Sequence, residues 1–213
     1  MIMKQILAFG DSNTWGLVPG SKPHERFAWE QRWTGILQEK FDPEEVRIAE
    51  EGLCGRTTVF EDELRPGRKG VSAIPVLLES HYPLDAMILM LGTNDCKTSY
   101  NASAYTIGLG LERCLDAAER FVKSENILLV SPIHLGDDVW RPEKDPEFNE
   151  ESIKKSIELK EVYSKIARKR GIPFIAASDH VTASRVDDEH MDTEGHKIFA
   201  QVVFDELKKL KLA

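Results

Sequence analysis

The chain has 213 residues, 41% hydrophobic and 30% charged, which fits one domain burying roughly 70% of its unfolded surface and excludes a disordered chain. Its 28 Lys and Arg against 36 Asp and Glu give a formal charge of -8, which excludes a nucleic-acid partner held by general basic charge. Three cysteines, Cys54, Cys96 and Cys114, without a CxxC pair, suit neither a disulfide framework nor a zinc site, so reduced thiols and a cytoplasmic place are expected.

Short apolar runs alternate with longer segments of helical period, the pattern of a parallel sheet covered by helices on both faces. The first strand is predicted at 6–9, a run too short for a signal-peptide core. Residues 16–30 lack periodicity. Trp33, Ile36, Leu37 and Phe41 predict a helix over 33–41, and a strand follows at 46–49. Strands at 86–91 and 127–130 are uniformly apolar and therefore buried on both faces. Between them, Leu109, Leu111, Leu115, Ala118 and Val122 predict a helix over 103–123. Residues 134–149 form a second aperiodic stretch, rich like the first in Pro, charge and aromatics, and both are expected to shape a pocket rim.

A helix over 151–170, with a thin stripe of Ile153, Ile157, Leu159, Val162 and Ile166, is expected to lie on the surface. The last strand is placed at 173–176. The last helix, 193–210, carries Ile198, Val202, Val203, Phe204 and Leu207 behind a cap at Asp192. The densest basic runs, Arg168-Lys169-Arg170 and Lys208-Lys209, fall where these helices end and complement their dipoles. No stretch approaches the ~18 apolar residues of a membrane span. The expected class is α/β, a flavodoxin-like three-layer α/β/α sandwich with a five-stranded parallel sheet, as one domain over 1–213.

Three segments carry chemistry. Gly10-Asp11-Ser12-Asn13-Thr14-Trp15-Gly16 follows the first strand, at the edge of a parallel sheet where ligands bind. Ser12 is there a candidate nucleophile, although Asp11-Ser12-Asn13 also reads as a helix cap; the glycines match neither GxGxxG nor a Walker loop. Leu91-Gly92-Thr93-Asn94-Asp95 ends the third strand on the same edge, where Asn94 is either an amide donor or a turn residue.

Asp187-Asp188-Glu189-His190 sets a carboxylate three residues before a histidine, a spacing that can fix the imidazole tautomer so that Nε2 faces a nucleophile. By itself it also reads as an acidic surface loop. Together the segments supply a nucleophile, a donor and an acid-oriented base. His196, the rival base, is expected to be exposed at the start of the last helix. His24, His81, His134 and His180 are isolated, so no metal is expected. Asp11, Trp15, Phe27 and Cys54 are candidates to line the pocket, with Trp15 and Phe27 reading equally as a subunit contact and Cys54 as a core thiol.

GDSN at 10–13, GTND at 92–95 and DxxH at 187–190 resemble, in order and spacing, the first, third and fifth blocks of the SGNH (GDSL-like) hydrolase family. Arg26-Phe27 with Arg32-Trp33-Thr34-Gly35, and Glu50-Glu51-Gly52-Leu53 with Arg56-Thr57-Thr58, are similar more narrowly to its bacterial arylesterase/acyltransferase branch. The resemblance implies the SGNH hydrolase fold, a nucleophile at Ser12, a base at His190 and an orienting acid at Asp187. It implies oxyanion donors at the backbone N–H groups of Ser12 and Gly55 and the side chain of Asn94. It further implies no cofactor, a small-molecule ester substrate with a short acyl or aryl group, an acyl-enzyme open to transfer to alcohols, and a homo-oligomer.

Carbohydrate or lysophospholipid deacylation by the same constellation is the alternative chemistry, and a flavodoxin-like binding module in which Ser12 only caps a helix is the non-enzyme alternative. Three positions depart from the family pattern. Asn13 stands where the name-giving motif has Leu, Glu51 where an Asn is frequent, and Asp188 where glycine often follows the acid.

Overall fold

The computed structural model describes residues 3–22 and 24–210. Its five parallel strands, β1 (Lys4–Gly10), β2 (Val46–Gly52), β3 (Ala86–Met90), β4 (Ile127–Ser131) and β5 (Phe174–Ala176), form one sheet in the order β2-β1-β3-β4-β5. The register sets Phe9 beside Glu51 and Leu89, and Gly10 beside Gly52 and Met90, so β1, β2 and β3 finish level with one another.

Successive strand side chains point to opposite faces. Leu7, Phe9, Met87, Leu89 and Leu129 enter one core with α3 (Gly70–Ser80), α4 (Ala104–Ala118) and α5 (Glu150–Arg170). Ile6, Ala8, Ile88, Met90, Leu128 and Val130 enter the other with α2 (Trp33–Glu39) and α6 (Thr193–Lys209). Two covered faces make three layers, and they are why β3 and β4 lack polar alternation.

The chain leaves β1 for its neighbour on one side, β2, and returns to its neighbour on the other, β3. That reversal makes the carboxyl end of β1 a topological switch point, where an open parallel sheet leaves a crevice. The helical turn α1 (Ser12–Trp15) starts there. Gly52 lets α1 approach β2, because a methyl at that position would lie 2.6 Å from both the Thr14 carbonyl carbon and Trp15 Cα.

Three elements differ from the sequence reading. No helix is predicted at 70–80, yet α3 forms there and buries Ile74 and Leu78; Pro75 inside it and Gly70 at its start mask the period. The helix predicted over 103–123 ends at Ala118. The third, α5, is not a surface helix: Leu159, Tyr163, Ile166 and Ala167 are buried, whereas Ile157 of the expected stripe is 49% exposed. Tyr163 rotates the buried face toward itself because its hydroxyl finds a partner inside, donating to Leu91 O at 3.0 Å. The ends of α5 and α6 do hold the basic runs, and Asp192 caps α6 by accepting from Gly195 N at 2.8 Å.

Candidate active site

Ser12 is the first residue of α1, so its N–H has no intrahelical acceptor. Asp11 caps the turn, its Oδ1 accepting from Asn13 N at 3.0 Å, so the capping role is real and coexists with an inward-facing Ser12 hydroxyl. That hydroxyl lies 2.8 Å from Nε2 of His190, and Nδ1 of the same ring lies 2.8 Å from Oδ2 of Asp187. All three side chains are buried.

Asp187 is fixed from several directions. Its Oδ1 accepts from Glu189 N at 3.1 Å and His190 N at 3.0 Å, and its Oδ2 also accepts from Gly20 N at 3.0 Å. Burial alone would raise the acid, but the hydrogen bonds and charge of His190, with the two backbone donors, hold Asp187 below its ordinary value.

The two ends of the chain are stapled together by Asn13. Its Nδ2 donates to Glu189 O at 3.3 Å and its Oδ1 accepts from Met191 N at 2.9 Å, straddling His190. This gives the Asn of GDSN a task that sequence reading did not assign to it.

Gly55 and Asn94 meet Ser12 in one cleft. Gly55 adopts φ +81°, a left-handed conformation that favours glycine, and among the described residues its N–H donates to no protein acceptor. Asn94 Nδ2 donates to Arg56 O at 3.1 Å, which orients the amide and, among the described residues, leaves its second N–H without a protein acceptor. Asp95 turns away and accepts from Thr58 N at 3.0 Å.

The cleft measures about 370 Å³ including its mouth, and Leu17 and Cys54 are its apolar side chains. His24, Arg65, Lys97, Asp145, Glu147 and Glu189 complete the lining, none of them among the pocket candidates of the sequence. The aperiodic stretches thus form the rim as expected, through Leu17 and His24 from the first and Asp145 and Glu147 from the second. The second is tied down at Asp188, whose backbone takes φ +59°, the conformation glycine would supply there. Asp188 Oδ2 accepts from Asp138 N at 3.1 Å and pairs with Lys144 Nζ at 2.6 Å, while Gly136 N donates to Asp188 O at 2.8 Å.

Among the candidate pocket residues, Cys54 lines the cleft, while Asp11, Trp15 and Phe27 do not. The Trp15 ring is covered by the Arg26 guanidinium at 5.0 Å, and Phe27 packs edge-on to His196 at 5.4 Å. The expectation of an exposed His196 is also corrected. It is wholly buried, accepts from Trp33 N at 3.2 Å through Nδ1, and stands outside the cleft. The three cysteines are free and buried, and burial pushes the Cys54 thiol up to about 11, so it is an unreactive wall of the cleft.

The GDSL-like lipase/acylhydrolase family model matches residues 8–198. A carbohydrate acetylesterase from Sinorhizobium meliloti is 30% identical and superposes with a TM-score of 0.87, covering 97% of this chain and 99% of that one. The native aryl esterase of M. smegmatis is 32% identical with a TM-score of 0.85, covering 97% and 99%. A lipase/acylhydrolase from Enterococcus faecalis, at 20% identity and a TM-score of 0.69 over 97% and 96% of the two chains, shares the fold. No curated protein matches the sequence significantly.

Proposed function

Since the chain belongs to the GDSL-like lipase/acylhydrolase family and is a serine ester hydrolase, we propose that Ser12, His190 and Asp187 are its catalytic triad and that it cleaves short-chain acyl esters of polar alcohols. The observation that carries the assignment is the unbroken line from Asp187 Oδ2 through the imidazole to Ser12 Oγ, two contacts of 2.8 Å.

Asp187 holds Nδ1 protonated, so Nε2 has its lone pair toward the hydroxyl. His190 removes the Ser12 proton as Oγ attacks the ester carbonyl. The N–H groups of Ser12 and Gly55 and the amide of Asn94 then receive the oxyanion. The imidazolium returns its proton to the leaving alcohol, and an acyl-enzyme remains. Water releases the acid by the reverse sequence, or an alcohol takes the acyl group.

The substrate class is read from the lining. Two apolar side chains in a small cleft suit an acetyl-sized group better than a long chain, and the charged rim suits a hydroxylated alcohol. This favours carbohydrate-like esters, the substrates named for the S. meliloti relative, over lysophospholipids. The proposal also includes association of like subunits, read from the likeness at 26–35, which sedimentation would test. A cytoplasmic place is proposed from the three free thiols. No helix among the described residues is long and apolar enough to cross a membrane.

The test is covalent labelling by a fluorophosphonate together with a comparison of acetate, butyrate and octanoate esters. Label on Ser12, lost in Ser12→Ala together with turnover, is expected, with rates falling as the acyl chain lengthens. Near-normal turnover by Ser12→Ala would remove the mechanism, and a preference for octanoate would remove the substrate class.

A further inference from the structure

The proposed triad leaves one buried acid of the cleft unused. Glu189 is 6% exposed, and among the described residues its carboxylate accepts no hydrogen bond. Its Oε1 lies 3.7 Å from Nε2 of His190, the nitrogen that also faces Ser12 Oγ at 2.8 Å. Asp187 already occupies the opposite edge of the ring. The imidazole is therefore flanked by carboxylates on both of its nitrogens.

We propose that Glu189 is a positioning residue that keeps a proton on His190 and thereby sets the lower pH limit of acylation. The inference rests on the reading of His190 as the base. An imidazolium between two carboxylates is well placed electrostatically and useless to Ser12, because Nε2 has no lone pair until its proton leaves for solvent. Two groups so close lose their protons in macroscopic steps shared by the pair, and only the last step frees the base.

The surroundings point the same way. Burial opposes charge on His190, but the Glu189 and Asp187 carboxylates, helped by Asp11 at the end of β1, outweigh it and raise the imidazole above its ordinary value. Burial raises Glu189 to about 7, against the pull of His190, with Asp145 and Asp187 adding to the rise and Lys97 opposing it, so its carboxylate acts on the imidazole above that pH. Lys97 is a weak counterweight because its ammonium is paired with Glu147. His24 and Arg65, the other basic side chains of the cleft, make no contact with the Glu189 carboxylate.

The experiment is kcat/KM against pH for a neutral acetate ester, in wild type and in Glu189→Gln, which keeps the shape and removes the charge. The wild-type acid limb is expected above the ordinary histidine value of ~6.5. In the variant it should move down by about 1–3 pH units, so that the rate on the acid side of the wild-type limb rises. Superimposable limbs, or a variant that is slower at every pH with its limb unmoved, would overturn the proposal while leaving the triad standing. Turnover surviving in Ser12→Ala instead strikes the triad itself. Should Glu189→Gln fail to fold, an NMR titration of the His190 ring in wild type decides, since a midpoint at or below ~6.5 contradicts the proposal.

Discussion

Replacing Asp187 by Asn tests the proposed relay at its most constrained point. The native carboxylate takes two backbone donors on Oδ1, and Gly20 N together with the imidazole on Oδ2. An amide with its oxygen toward the backbone of residues 189 and 190 keeps the first pair. Its NH₂ then faces the Gly20 N–H and Nδ1. Donor meets donor at both, and the ring relieves one clash by moving its proton to Nε2, where it points at Ser12. The hydroxyl then has no base. The same exchange in serine-protease triads costs about 10⁴ in kcat, equivalent to about 5 kcal/mol of barrier.

The orphaned Gly20 N–H adds a stability loss of about 1–3 kcal/mol. Both effects are measurable on one preparation, kcat and KM with p-nitrophenyl acetate at alkaline pH and the unfolding midpoint in denaturant. The expected result is a folded protein with KM little changed and kcat reduced about 10⁴-fold. A kcat within tenfold of wild type would refute the tautomer argument.

Asn94→Ala should lower kcat by about 10²–10³ while leaving fluorophosphonate labelling measurable, because it removes one of three proposed oxyanion donors and leaves Ser12 and His190 in place. Unchanged kcat would take Asn94 out of the hole. His196→Asn probes stability rather than catalysis. Burial first, with the nearby His190 and Arg32 charges, lowers His196 to about 4, so the unfolded chain binds a proton that the folded one refuses between the ordinary 6.5 and that value. That group's contribution is complete above pH 6.5 and is lost as pH falls toward 4, about 3 kcal/mol in all. Asn keeps an acceptor for Trp33 N, so the variant should lose about that much less stability than wild type over the same interval in denaturant unfolding. Parallel losses would contradict the assignment.

Much of the fold was legible because the central strands β3 and β4 lie between two helical layers, and burial on both faces leaves uniform apolar runs. The proposed site was legible for a different reason, since DxxH closes its own short loop and Asn94 and Ser12 each follow a strand end. The α3 helix was hidden by Pro75, and the buried face of α5 because its stripe was drawn without Tyr163, whose hydroxyl has an inside partner.

Local pattern thus placed the five strands and the cap of α6, and offered three side chains that could act together. Tertiary structure alone decided that Asn13 bridges the backbone on both sides of His190, that His196 is interior, and that Glu189 stands 3.7 Å from a nitrogen it does not bond. The reason is the range of the forces involved. Periodicity and capping act between residues a few positions apart, whereas desolvation and Coulomb fields depend on distances that only the packed chain defines.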